Sequence, residues 1–111
     1  MSAAIVRHPL LTAPIAGKKL IDRVEVKRLD FVAGQQTALH THPCPVVSIV
    51  THGVILFQVE GQELRVIQAG EVIFEPADVR SIHFDAASEP ATIVAFYLLG
   101  FEDWELISML K

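Results

Sequence analysis

Between residues 24 and 99 the chain is a succession of short apolar runs, each ended by a turn signal and none keeping a helical period. The runs 46–51, 54–60, 63–68, 71–75, 79–85 and 91–99 are rich in β-branched and aromatic residues. Gly53, Gly61-Gln62, Ala69-Gly70, Pro76-Ala-Asp78 and a polar loop at 85–90 lie between them. Many short strands at such close spacing pack as an antiparallel sandwich or barrel. The run 46–51 lacks polar alternates and reads as a strand buried on both faces in the middle of a sheet. Segments 54–60 and 63–68 read as a hairpin. Residues 24–31 read as a half-buried strand with a slip or bulge near Arg28, because Val24 and Val26 are out of step with Leu29 and Phe31.

The rest of the chain is bounded by size and composition. A length of 111 residues makes one domain, 1–111, with no repeat, linker or internal boundary. Residues 1–17, with Pro9 and Pro14, form an N-terminal arm that can pair as an edge strand. In the tail, 100–111, Phe101, Trp104 and Ile107 fall at helical spacing, with Glu102 and Asp103 placed for a first turn, so a short amphipathic C-terminal helix is expected there. An apolar share of 51% is high for a small soluble chain, and predicts that a second copy covers part of the surface as a homodimer. A net charge of −4 without any long Lys/Arg cluster excludes nucleic acid as a partner. The lone Cys44 makes no intrachain disulfide, and no signal peptide or membrane span interrupts the pattern, which together point to the cytoplasm.

His40-Thr-His42 carries the chemistry. On a strand, side chains two residues apart share a face, so both imidazoles point the same way. That is half of a metal site if the face is inward, and a pair of ordinary histidines if it is not.

The order Gly34, five residues, His40-x-His42, three residues, Val46, six residues, Gly53 resembles the first motif of the cupin superfamily. Gly70, five residues, Pro76-x-Asp78 resembles the second. The resemblance implies an all-β antiparallel double-stranded β-helix, the jelly-roll barrel, often dimeric and holding one metal ion on three histidines and a glutamate. His40 and His42 match two of those ligands residue by residue. Val46 stands where the glutamate usually is, and Ser81 where the third histidine is. His83, two residues after Ser81, faces the same side on a regular strand and is the substitute this sequence offers, roughly 6–7 Å further along. The expected metal ligands are therefore His40, His42 and His83, with a divalent Zn, Ni, Fe, Mn or Cu ion as cofactor. Three neutral imidazoles would leave that charge uncompensated and draw an anionic ligand into the open positions.

Further candidates for the ligand pocket are Gln58, Ser81, Val46, Phe74, Cys44 and His52: a polar group amid apolar neighbours, two residues at motif positions, an aromatic, a thiol beside the histidines and a histidine at a turn. Two functions fit. One is a small metal-dependent dioxygenase, isomerase or decarboxylase; the other is a barrel without metal that binds or senses a small molecule without catalysis.

Overall fold

Period-two alternation of apolar side chains decides which face of each strand is buried. In the computed structural model, which describes residues 4–17, 19–103 and 106–109, this alternation builds nine strands and no helix among the described residues. They are β1 (Arg23–Phe31), β2 (His40–Thr41), β3 (Val46–His52), β4 (Val54–Val59), β5 (Arg65–Gln68), β6 (Val72–Glu75), β7 (Ser81–Ala86), β8 (Ala91–Leu99) and β9 (Ser108–Met109). Two antiparallel sheets, β1-β8-β3-β6 and β5-β4-β7-β2-β9, face each other across the core. This is a jelly roll, as the sequence predicts.

The core is filled from both sheets. Val46, Val50, Ile73, Ile93 and Leu99 come from one, and Ile55, Phe57, Val59, Ile67 and Phe84 from the other, all nearly inaccessible to solvent. Strand β3 lies between β8 and β6, as expected of the most apolar run, but the expected burial on both faces is not met: Val46, Ser48 and Val50 are inward, Val47 and Ile49 are only half-buried outside, and Thr51 and His52 are exposed. The 54–60 and 63–68 hairpin forms as β4 and β5, paired from Val54↔Gln68 to Phe57↔Arg65.

Three local expectations are corrected. Strand β1 pairs with β8 without a slip from Arg23↔Leu99 to Phe31↔Ala91. Val24 and Val26 are out of step with Leu29 and Phe31 because they lie on the outer face, where both are half-exposed. The expected C-terminal helix is absent from the described residues: Ser108–Met109 is a strand instead, paired with Thr41 and His40. Trp104 lies outside the described residues. The arm makes no strand over residues 4–17, although Pro14, Ile15 and Ala16 share a groove with Pro45, Phe74 and Pro76.

One turn depends on glycine. Gly53 joins β3 to β4 with φ +77°, and a Cβ there would fall 2.9 Å from the Ala91 Cα and closer still to the Pro90 carbonyl oxygen. Gly53→Ala is expected to cost at least about 1–3 kcal/mol from the backbone conformation alone. Thermal unfolding followed by circular dichroism should show a midpoint lower by on the order of 10 °C.

Candidate metal centre

His40 and His42 sit on and just after β2, the short strand held between β7 and β9. Their i, i+2 spacing puts both rings into the barrel, where they are 3% and 5% exposed, so the inward reading of the motif is the right one. The rings meet edge to face, with centroids 4.9 Å apart.

Each ring is held by a backbone carbonyl. His40 Nδ1–H donates to the Ala38 oxygen at 2.8 Å, and His42 Nδ1–H donates to the Leu106 oxygen at 2.5 Å. A carbonyl can only accept, so these bonds put the hydrogen on Nδ1 and leave Nε2 of each neutral ring as a bare lone pair. Such carbonyl contacts behind the ring are the usual way a protein orients metal-binding histidines.

Both Nε2 atoms converge on Glu75. Its Oε2 lies 3.5 Å from His40 Nε2 and 3.2 Å from His42 Nε2. Glu75 is 4% exposed, and this Oε2 is buried without a hydrogen-bond partner. Bonds of about 2.0–2.2 Å to a shared ion would separate neighbouring donor atoms by roughly 3.0–3.5 Å, which is the spacing of each Nε2 from Glu75 Oε2. Two imidazoles and one carboxylate are a donor set suited to mid-row divalent ions. His40, His42 and Glu75 thus form a group that can hold a metal ion.

The charges are mutually supporting. Burial works to raise the Glu75 pKa, but the two imidazoles beside it outweigh that and bring it down to about 2. Burial works to lower the His42 pKa, yet the adjacent Glu75 carboxylate and the Leu106 carbonyl carry it above its ordinary value.

Glu75 is the residue that sequence reasoning missed. On β6 the inward positions are Ile73 and Glu75, while Phe74 turns outward into the groove beside the arm, which corrects its placement in the pocket. The register explains how Glu75 takes the carboxylate role: Val46, where the cupin glutamate is expected, pairs directly with Glu75 across β3 and β6. Glu75 presents its carboxylate from the neighbouring strand, and Val46 is an apolar wall of the cavity. The available signal was Glu75 alternating with Ile73 just before Pro76.

His83 is not brought to this group. Strand β7 pairs with β4 as Gln58↔His83 and then Val59↔Ser81, so a β-bulge inserts Ile82 as an extra residue. The bulge breaks the same-face relation between Ser81 and His83. Ser81 is buried opposite His40, whereas the His83 side chain is 45% exposed, its Nδ1 2.9 Å from Asp85 Oδ2.

The group lines one side of a cavity of about 70 Å³ whose other walls include Phe31, Phe84, Ile93, Tyr97 and Ser48. Of the other pocket candidates, Val46 alone lines this cavity. Gln58 donates its Nε2–H to the Gln62 carbonyl across the hairpin turn (2.9 Å). His52 is exposed at the end of β3, with its Nδ1 3.2 Å from Thr51 Oγ1. Cys44 is fully buried, and burial in the main pushes its pKa to about 11, which keeps it a neutral thiol.

By sequence, the chain matches no family model and no curated protein. By structure it is similar to a cupin-like protein from Thermotoga maritima, with 25% identity and a TM-score of 0.68 over 78% of this chain and 64% of that one. It is also similar to the DMSP lyase DddQ from Ruegeria pomeroyi, with 18% identity and a TM-score of 0.70 over 79% and 43%. An oxalate oxidase in complex with the substrate analogue glycolate matches at 25% identity and a TM-score of 0.60 over 68% and 41%. The chain spans less than two thirds of the length of each of these three. The jelly-roll fold these proteins share with the chain, together with His40 and His42 standing inside the barrel where the motif requires them, supports the resemblance to the cupin superfamily.

Proposed function

We propose that the chain is a small metal-dependent enzyme that holds one divalent ion through His40 Nε2, His42 Nε2 and Glu75 Oε2 and acts on a small organic substrate in the cavity. The observation that carries this reading is the convergence of two imidazole lone pairs, fixed by backbone carbonyls, on a buried carboxylate oxygen that has no other partner. With neutral rings and nothing between them, these atoms would repel one another, so the arrangement calls for a positive charge at its centre, which a proton on His42 supplies when no ion is bound and a divalent ion supplies when it displaces that proton. When bound, such an ion supplies a Lewis acid with coordination positions free for substrate or dioxygen.

The residues divide the remaining work. Glu75 contributes one negative charge and lowers the net charge of a divalent site to +1. Phe31, Phe84 and Ile93 keep the cavity apolar, which strengthens each electrostatic contact made inside it. Oxalate oxidase and a DMSP lyase carry out their reactions on barrels of this fold, which supports an enzyme of small molecules as the reading. The half-exposed Val24 and Val26 and the partly exposed Phe96 share the outer face of one sheet and support the expected homodimer. The free thiol of Cys44 is in keeping with a reducing cytoplasm. Among the described residues no helix is long and apolar enough to cross a membrane.

Calorimetric titration of chelator-treated protein with Mn, Fe, Ni, Cu and Zn ions tests the reading. One ion per chain is expected, with tighter binding at higher pH. The sign follows from His42: its pKa lies above its ordinary 6.5, so the ion must displace a proton, and affinity falls as pH drops through that raised value. Glu75, lowered to about 2, stays ionised throughout this range and adds no pH dependence of its own. No uptake of any of the five ions would overturn the reading.

A further inference from the structure

Besides Glu75, the cavity holds a second buried polar atom with no hydrogen-bond partner among the described residues. Ser48 is 1% exposed and lines the cavity, yet its Oγ is buried without a hydrogen-bond partner among the described residues. Thr37, the other hydroxyl of an aliphatic side chain on this wall, is already used: its Oγ1–H donates to the Phe84 carbonyl at 2.7 Å. A buried, unpaired hydroxyl is destabilising and rare, and in a cavity it is satisfied by a water or by an oxygen or nitrogen of a ligand that displaces that water.

The position of Ser48 sets the ligand's length. It lies two residues from Val46 on β3 and faces the same way, and Val46 is the register partner of Glu75. The hydroxyl is therefore about 6–7 Å along the barrel from the row that holds the carboxylate. A metal–oxygen bond of about 2 Å and a hydrogen bond of about 2.8 Å leave room between them for a link of roughly two carbon atoms. The cavity's 70 Å³ corresponds to about five water-sized positions, the size of a molecule with five or six heavy atoms.

Charge narrows the class further. No Lys or Arg lines the cavity among the described residues. A divalent ion with Glu75 carries a net +1, which one negative charge balances. A second carboxylate would lie unpaired in an apolar enclosure, at a high desolvation cost.

We infer that the cavity takes a 2-hydroxy or 2-oxo monocarboxylate of two or three carbons, its carboxylate toward His40, His42 and Glu75 and its second oxygen on the Ser48 hydroxyl. This rests on the metal reading above. Ser48 then sets specificity, selecting the oxygen on the second carbon and the length of the acid.

The test titrates lactate, propionate, malonate and 2-hydroxyoctanoate into metal-loaded wild type and Ser48→Ala, after metal uptake by each protein has been measured separately. Wild type is expected to bind lactate about tenfold more tightly than propionate, which lacks the hydroxyl, and to bind malonate and the eight-carbon acid more weakly than lactate. In Ser48→Ala the difference between lactate and propionate should vanish while metal affinity stays unchanged. The metal-free variant should melt at a higher temperature than wild type, because the orphaned hydroxyl is gone. The inference is overturned if metal-loaded wild type prefers malonate, binds lactate and propionate equally, or binds neither. It is also overturned if Ser48→Ala keeps the discrimination or melts lower. Failure of metal uptake in the first step overturns the metal reading and this inference with it, and is distinguished by occurring before any acid is added.

Discussion

Glu75→Gln is expected to weaken metal binding by at least about a hundredfold, while His83→Ala leaves it unchanged. Substitutions that only disturb the groups behind a ligand cost roughly 10–100-fold, and Glu75 contributes a donor atom and, among the described residues, the site's only negative charge. Its amide replacement keeps the shape but is neutral, and its NH2 can donate to the imidazole lone pairs that the ion needs. His83 is held by Asp85 on the outer side of β7. The paired calorimetric titrations separate the two candidate ligand sets, because a site built on His83 would show the opposite order.

A second effect of comparable size follows from the register. Val46 and Glu75 face each other across β3 and β6, and directly opposed residues in an antiparallel pair have Cα atoms about 4.5–5.5 Å apart. A carboxylate from either strand can therefore reach the same imidazoles. Glu75→Val alone should abolish measurable uptake, and adding Val46→Glu in the same chain should restore it to within roughly tenfold of wild type. Val46→Glu alone should do harm, since it confines two carboxylates in one buried space and forces one to take up a proton. A loss of about 3–5 kcal/mol in metal-free stability is expected for that single variant, measured by urea unfolding. If the double variant binds no metal although it folds, the carboxylate has a role that depends on β6 itself.

The same register accounts for what could be read from the sequence and what could not. The all-β fold was legible because alternation and turn residues are local signals: Gly53, Gly61 and Gly70 end runs whose period is two. His40 and His42 were legible for the same reason, their shared face following from a spacing of two residues. Glu75 was not, because its role depends on which residue lies opposite Val46, and pairing between strands about thirty residues apart is written in no local pattern. The apolar Phe74 also set the phase of β6 wrongly, placing the inward face on the aromatic. His83 failed through the opposite fault: a local rule was applied across the Ile82 bulge, where it does not hold. In the tail the expected helix gave way, among the described residues, to the open edge of β2, which Ser108 and Met109 complete.

That tail also shapes the site. Leu106 supplies the carbonyl that orients His42, and Ile107 lines the cavity. Asp103 anchors the start of the segment, accepting from Lys19 Nζ at 2.6 Å and from the Gly100 N–H at 2.7 Å. Lys19, just ahead of β1, is thus paired with Asp103, three residues before the carbonyl that orients His42.

The central claim is that the carboxylate missing from the cupin motif is supplied by Glu75. Anomalous diffraction at the absorption edge of the bound ion, on crystals of metal-loaded protein, tests it most directly. The account predicts one peak inside the barrel, about 2.0–2.2 Å from His40 Nε2, His42 Nε2 and a Glu75 oxygen together. A peak at His83 and Asp85, or one within bonding distance of the two histidines but not of Glu75, would contradict it.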